Sequence, residues 1–358
     1  MGAQPGIRDV ARRAGVSTAT VSHVLNGTRA VRDGTRSRVL AAVQDLGYAP
    51  NGIARSLTTR RTMTVGVLIS NIANSFFAEV IRGVESVLTP AAYSYILCNT
   101  DGDPAREQHY LDLLLAKRVD GLIAAPAAAP WPQLGRFQAL GVPVVYVDRA
   151  FPDLAGPAIT LDNEGGAFAG VRHLIEDGHR TVGILTGLLA MPSMAARLAG
   201  YRRALREYGL ADEPSRIVPS AHTVEAAVEA ALALLGRPDR PSAVFCANNL
   251  LAVGALQALR QLALHCPDDV GLLAFDDHPW APVADPPLSV IRQPSREMGQ
   301  LAAQTLLACL GSTGSTGETA RATASTVLPT ALVVRQSCAR HPSPGPNRSP
   351  LEVAARCA

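Results

Sequence analysis

The sequence predicts a small all-α domain followed by a larger α/β domain built as two lobes, and three observations carry that expectation. Residues 1–48 hold only short helical periodicities, broken at Gly15, Gly27, Gly34 and Gly47. From Thr62 onward, continuous Val/Ile/Leu runs alternate with longer helical segments, the pattern of strands buried on both faces of parallel sheets. That strand–helix series starts afresh after Asp162, which favours two similar lobes over one large sheet.

A chain of 358 residues is too long for one small domain, and with 47% hydrophobic and 18% charged residues it has ample material for a globular core. The formal net charge of +3 conceals an asymmetry. Residues 1–61 carry ten arginines against Asp9, Asp33 and Asp45, a charge of +7, which leaves −4 on the remaining 297 residues. A basic end on a mildly acidic body implies that the first meets a polyanion and the second does not; the plainer alternative is a solvated charged end. Six cysteines form no C-x-x-C pair and no His/Cys metal spacing, and several stand in apolar runs, as reduced structural thiols do. No metal or cofactor is expected. The first ten residues lack the long apolar core of a secretion signal, and no apolar run reaches spanning length, so a cytoplasmic protein is expected.

Taking the elements in order, Ile7, Val10, Ala11 and Ala14 recur at helical spacing and make one apolar face. Gly15 permits a tight turn, Val16 buries it, and Ser17 caps a second helix whose Val21, Val24 and Leu25 turn inward. This is helix-turn-helix grammar. It leaves Thr18, Ala19, Ser22 and His23 outward near the start of the second helix, where a recognition helix presents side chains to base edges in the major groove. A generic small helical bundle shows the same periodicity. Residues 49–61 read as a polar linker in which Asn51 caps one or two helical turns ending near Leu57, too short to be stable alone. In the larger domain strands are expected at 64–70, 93–99, 121–125, 142–148, 158–161, 181–186, 243–247, 270–275 and 289–292. Helices are expected between many of them, at 77–88, 106–117, 165–176, 195–208, 224–235 and 250–262. Residues 311–317, rich in Gly, Ser and Thr, are expected to form a flexible surface loop, and the proline-rich tail 339–358 to be disordered.

The run Asp-Val-Ala-x-x-Ala-Gly-Val-Ser-x-x-Thr-Val-Ser-x-Val-Leu-Asn-Gly at 9–27, followed by Thr35-Arg36, Leu46-Gly47-Tyr48 and Ala54-Arg55-Ser56-Leu57, resembles the LacI/GalR family of regulators. The headpiece is most similar to the purine and cytidine repressor branch, where a histidine also stands at the place of His23. The resemblance implies that Thr18, Ala19 and His23 read bases with Arg29 assisting, while Ser17 and Ser22 hold phosphates. It also implies that the hinge turns helical on DNA, pairs with its twin, and wedges Leu57, with Ala54 packed beside it, into the minor groove of a kinked duplex. Ala19 donates no hydrogen bond, so its reading is limited to apolar contact, for instance with a thymine methyl.

Weaker matches continue in order to about residue 338, among them Asn74-Ser-Phe-Phe-Ala-Glu79, Asp162-Asn-Glu-Gly-Gly166, Arg197-Leu-Ala-Gly200, Ile291-Arg-Gln-Pro294 and Leu328-Pro-Thr-x-Leu-Val-Val334. Together they imply a fold like the periplasmic sugar-binding proteins: two α/β lobes, a cleft between them, and three crossing strands. The expected domains are a headpiece 1–48, a hinge 49–61 and a core 62–338. Within the core the N-lobe takes 62–161 and 293–325, and the C-lobe 162–291 and 326–338. At family ligand positions stand Asn74, Phe76 and Phe77 after the first strand, Asp148 and Arg149 on the opposite wall, and Arg197, Asn248 and Asp276 on the C-lobe. An Arg/Asn/Asp trio supplies donors and an acceptor for vicinal hydroxyls; the alternative for Arg197 and Asp276 is an ordinary ion pair within the lobe. Where the purine branch has an arginine and an aromatic, this chain has Met191 and His222, with Ser193 retaining a hydroxyl contact. A sugar, sugar acid or nucleoside-like effector is therefore expected rather than a purine.

The implied partners are a pseudo-palindromic double-stranded operator, a small-molecule effector and a second copy of the chain. With no C-terminal leucine heptad a homodimer is favoured over a tetramer, and repression is the family default. A periplasmic-type solute-binding protein shares the two-lobed fold, but the headpiece and the lack of a secretion signal speak against it. An enzyme is not expected: there is no phosphate loop, nucleophile elbow or zinc motif. Asp276, Asp277 and His278 at a strand end point to different faces and do not easily converge on one ion.

Overall fold

The computed structural model describes residues 5–27, 29–48, 61–127, 129–221, 223–312 and 325–338. They fall into two compact units, one ending at Met63 and the other beginning at Thr64. The expected hinge with Ala54 and Leu57, His222, the tail 339–358 and most of the expected 311–317 loop lie outside the described residues.

The first unit contains α1 (Ile7–Ala14), α2 (Thr18–Asn26) and α3 (Asp33–Asp45). Asp9 folds back to accept from the Gly6 N–H at 2.9 Å, satisfying a free donor ahead of α1. Gly15 ends α1 in the left-handed conformation with φ 63°, which a side chain would strain, and Ser17 Oγ accepts from the Thr20 N–H at 3.1 Å to start α2. Val10, Ala11 and Ala14 then meet Val21, Val24, Val39 and Ala42 in one small core. Gly34 does not break the chain as the sequence suggested. It lies in the first turn of α3, where the N–H groups have no intrahelical partner and a glycine interrupts little.

The second unit holds two six-stranded sheets. The first comprises β1 (Thr64–Ile69), β2 (Ser94–Asn99), β3 (Gly121–Ala124), β4 (Val144–Val147), β5 (Ala158–Leu161) and β11 (Thr326–Leu328), in the order β11-β5-β4-β3-β1-β2. Its helices are α4 (Ser75–Leu88), α5 (Pro104–Ala116), α6 (Leu134–Ala139) and α11 (Ser295–Ser312). The second sheet comprises β6 (Val182–Thr186), β7 (Ile217–Pro219), β8 (Ala243–Cys246), β9 (Gly271–Phe275), β10 (Ser289–Arg292) and β12 (Ala331–Val333), in the order β12-β10-β9-β8-β6-β7. Around it run α7 (Asn163–Glu176), α8 (Pro192–Glu207), α9 (Val224–Leu235) and α10 (Asn249–Gln261). All neighbours are parallel except β10 and β12. Helices cover both faces of the second sheet: Ala231, Leu234 and Leu251 pack on one side, Val171, Leu198 and Tyr201 on the other. This is why its strands are apolar throughout.

The chain passes between the sheets after β5, after β10 and after β11. The expected division of lobes needs one correction: Thr326–Leu328 pairs in parallel with Ile159–Leu161 in the first sheet, so the last crossing falls at Pro329-Thr330 and not at residue 326. The strands β7, β11 and β12, and the helices α6 and α11, were not read from the sequence. The three strands are three residues long and stand at sheet edges, where length and periodicity carry little signal. No described helix is long and apolar enough to cross a membrane, and the described cysteines are free thiols.

Candidate functional site

In the headpiece, α2 presents Ser17, Thr18 and Ala19 exposed at its N-terminal end, with Ser22 and His23 half-buried one turn on. The inward turns of Val21 and Val24 impose that orientation. A shallow surface hollow brings Ser17, Thr20 and His23 beside Arg29, Arg32 and Arg38, so the exposed start of α2 lies next to three guanidinium groups. Arg32 and Arg38 were not singled out in the sequence; their only signal there was membership of the basic run.

In the second unit the C-terminal ends of the strands face one another between the lobes, the place where open α/β sheets bind ligands. Asn74 caps α4 directly after β1: its Oδ1 accepts from the Phe76 N–H at 3.0 Å and from Asn249 Nδ2 of the other lobe at 2.9 Å. Phe76 and Phe77 meet edge to face, with ring centroids 4.9 Å apart. At the end of β4, Asp148 has φ 66°; at the end of β9, Asp276 has φ 83°. Both are buried non-glycine residues held in the left-handed region, and such strain concentrates where a side chain must be aimed.

Each aspartate stands near an arginine, in different ways. Arg149 Nε donates to Asp148 at 2.9 Å, while its Nη atoms reach Ser70 Oγ at 3.0 Å, the Pro126 carbonyl at 3.3 Å and, across the cleft, Met191 Sδ at 3.5 Å. Arg197 is only 3% exposed. It donates to Asn163 Oδ1 at 2.8 Å and to the Ala247 carbonyl at 2.6 Å, and its guanidinium lies 3.6 Å above the Phe275 ring. The expected alternative of an Arg197–Asp276 ion pair is not what forms. Asp276 instead accepts from the Asn249 N–H at 3.2 Å and from the Gln293 amide. Burial pushes the Asp276 carboxyl above its ordinary value, against the pull of Arg197 and these two donors. Burial likewise lowers Arg197, opposed by Asp276 and Asp148. Asn248 caps α10, its Oδ1 accepting from the Leu251 N–H at 2.9 Å.

One space between the lobes is lined by Asn74, Phe76, Phe77, Asp148, Arg149, Ser193, Arg197, Asn248 and Asp276, together with Met194 and Gln293. The structure thus brings the expected ligand residues together, His222 excepted. Gln293, Asn249 and Ser70 were missed. Gln293 stood in the Ile291-Arg-Gln-Pro294 match, and its polar side chain at a crossing between lobes was the available clue. The space measures about 40 Å³, room for a few waters at most. A larger hollow of about 600 Å³ shares Phe76, Asp276 and Gln293 but is rimmed by Glu79, Arg82, Arg292, Arg296 and Glu297. It lies beside the first turns of α4 and α11 and is bordered across from them by Asp277, Pro279 and Arg292 of the second lobe.

A basic helix-turn-helix reader and a two-lobed cleft with inward-aimed polar side chains, carried on one chain, define the class of ligand-responsive DNA-binding regulators. The comparisons agree. Residues 6–51 match the model for bacterial regulatory proteins of the lacI family, and residues 171–338 match a periplasmic binding protein-like domain. The chain is 41% identical over 306 residues to a ribose operon repressor of Haemophilus influenzae, covering 84% of this chain and 90% of that one. It is 39% identical over 302 residues to the HTH-type transcriptional repressor PurR of Photobacterium profundum, with the same two coverages. A solved lac repressor dimer bound to operator and the anti-inducer ONPF superposes with TM-score 0.81 at 26% identity, covering 95% of this chain and 100% of that one. The chain belongs to the LacI family of bacterial regulatory proteins.

Proposed function

We propose that this protein is a transcriptional repressor that binds a pseudo-palindromic operator as a homodimer, and that a small neutral sugar in the inter-lobe cleft controls that binding. The observation that carries the ligand class is the charge balance of the cleft. Asp148 faces Arg149, and Asp276 lies in the field of Arg197, so the walls are strongly polar yet near neutral overall. Asn74, Asn248 and Gln293 add amide donors and acceptors, and Phe76 and Phe77 supply apolar faces. Alternating donors and acceptors beside a ring face suit a polyol, and a neutral wall gives a sugar acid no advantage. A purine fits less well: Met191 packs against the apolar core of the second lobe and offers no hydrogen-bond donor. That a ribose operon repressor is 41% identical to this chain supports the same ligand class.

In the headpiece Thr18, Ala19 and His23 read bases with Arg29 assisting, and Ser17 and Ser22 hold phosphates. Ala54 and Leu57 form the minor-groove wedge. Because its partner is genomic DNA, the protein works in the cytoplasm and is a regulator rather than an enzyme. The test is calorimetry of the full chain against pentoses, hexoses, sugar acids, nucleosides, hypoxanthine and guanine, followed by operator binding with and without the binder. A neutral sugar that binds and changes operator affinity is the expected result; tight binding of hypoxanthine or guanine overturns the ligand assignment. Periplasmic recovery of the protein, with no DNA affinity, would restore the solute-binding reading.

A further inference from the structure

We propose that the second lobe carries a zinc site, separate from the sugar cleft, made by His173, Asp177 and Cys338. His173 and Asp177 stand one helical turn apart at the C-terminal end of α7, so both face the same way. Cys338 follows β12, 165 residues beyond His173 in sequence, and only the fold brings it there. His173 Nε2 lies 3.2 Å from Cys338 Sγ and 3.3 Å from Asp177 Oδ2, and all three ligand atoms lie within 4.8 Å of one another. In a tetrahedral zinc site with ordinary Zn–N, Zn–O and Zn–S lengths, neighbouring ligand atoms are about 3.3–3.7 Å apart. Small adjustments therefore seat an ion among the three, with a water as the fourth ligand.

The geometry separates this reading from its chief rival, a Cys–His–Asp nucleophilic triad. A triad needs the thiol on one ring nitrogen and the carboxylate on the other, so that the acid orients the base. Here thiol and carboxylate converge on the same nitrogen. One nitrogen carries one hydrogen and serves one neighbour fully; an ion in the space they share is served by all three. The surroundings suit a metal as well. Ser289 Oγ lies 3.0 Å from Cys338 Sγ, placed to donate to a thiolate, and His179 Nε2 lies 3.2 Å from the Cys338 carbonyl. Cys338 is fully buried, whereas the side chains of His173 and Asp177 are 17% and 31% exposed, which gives an ion a way in. Thiolate, imidazole and carboxylate together select a borderline-soft ion over Mg²⁺ or Ca²⁺. Binding releases the thiol proton to solvent and clamps the segment after β12 onto α7.

The test uses the full chain, dialysed against chelator and titrated with Co²⁺ as a spectroscopic stand-in for zinc. One equivalent should give the visible absorption of four-coordinate Co²⁺ with a near-ultraviolet thiolate-to-metal band, and Zn²⁺ should bleach both. Cys338→Ser should abolish the thiolate band. Asp177→Asn and His173→Gln, at partly exposed positions that should fold even if Cys338→Ser does not, should each weaken Co²⁺ binding roughly tenfold or more. Sugar affinity should be unchanged in Asp177→Asn, since none of the three groups lines the cleft. The absence of the Co²⁺ spectrum, or its persistence at full affinity in Asp177→Asn and His173→Gln, overturns the site.

Discussion

Asp276 and Arg197 bury opposite charges and are held in different ways. Asp276 is buried without a direct ion partner, and its carboxyl is raised. A raised acid contributes stability that is fully present below the ordinary carboxylate range and is lost as pH rises through the folded value. Asparagine has no such loss. Gln293 Oε1, which lacks a partner here, can accept from the new amide after a flip of the Gln293 side chain. Urea unfolding of Asp276→Asn should therefore show a stability difference that moves in favour of the variant as pH rises above the ordinary carboxylate range, about 4, while calorimetry shows loss of the sugar. A difference moving the other way would refute the burial argument. Arg197→Lys is the converse case. An ammonium cannot reach Asn163 and the Ala247 carbonyl together while lying flat on Phe275. We expect a stability loss of about 1–3 kcal/mol and sugar affinity reduced roughly tenfold or more, read by thermal unfolding and calorimetry.

At the scale of elements, close helix packing sets the first lobe. A Cβ on Gly299 of α11 would overlap the Val80 carbonyl of α4, and one on Gly83 would overlap the Arg296 carbonyl. Backbone cannot yield as a side-chain tip does. Gly299→Ala should therefore lower stability by about 1–3 kcal/mol, seen as a fall in Tm, and the same change at exposed Gly135 should do almost nothing. In the headpiece, Ser17→Ala removes the α2 cap at a cost of about 1 kcal/mol. The loss should appear as faster hydrogen exchange at Val21–Leu25, with the second unit unaffected. Most helices and the longer strands were legible because their periodicity is local; α6 and the 18-residue α11 were not. The edge strands β7, β11 and β12 were not, because pairing across a sheet and not sequence length makes them strands.

For the whole molecule, the +7 charge of residues 1–61 implies that operator affinity falls steeply with salt, linearly on a log–log plot. A shallow slope in a filter-binding titration would argue against phosphate contacts by the arginines. Leu57→Ala should weaken operator binding far more than binding to random DNA, because a wedge acts only where a base step is unstacked; equal losses would remove that role. The lobes meet through the Asn249–Asn74 bond and the reach of Arg149 to Met191, and these contacts narrow the space between them to about 40 Å³. On the proposed function, sugar entry requires the lobes to part or Arg149 to move, and a bias on that closure is how the effector would act.

The sequence by itself determined the helix-turn-helix with its outward Thr18, Ala19 and His23, the strand–helix alternation of two lobes, and most of the polar residues of the cleft. These follow from spacing within one helix or from short motifs. Only the tertiary structure decided what those residues do to one another. Asp148 and Asp276 came to line one space because the ends of β4 and β9 meet there. Gln293 joined the cleft because a crossing strand delivered it there, and Thr326–Leu328 moved from one lobe to the other because an edge partner was free at β5. Cys338 met His173 and Asp177 across 165 residues of chain. Periodicity records which face of an element is buried; it holds no record of which distant element arrives on the other side.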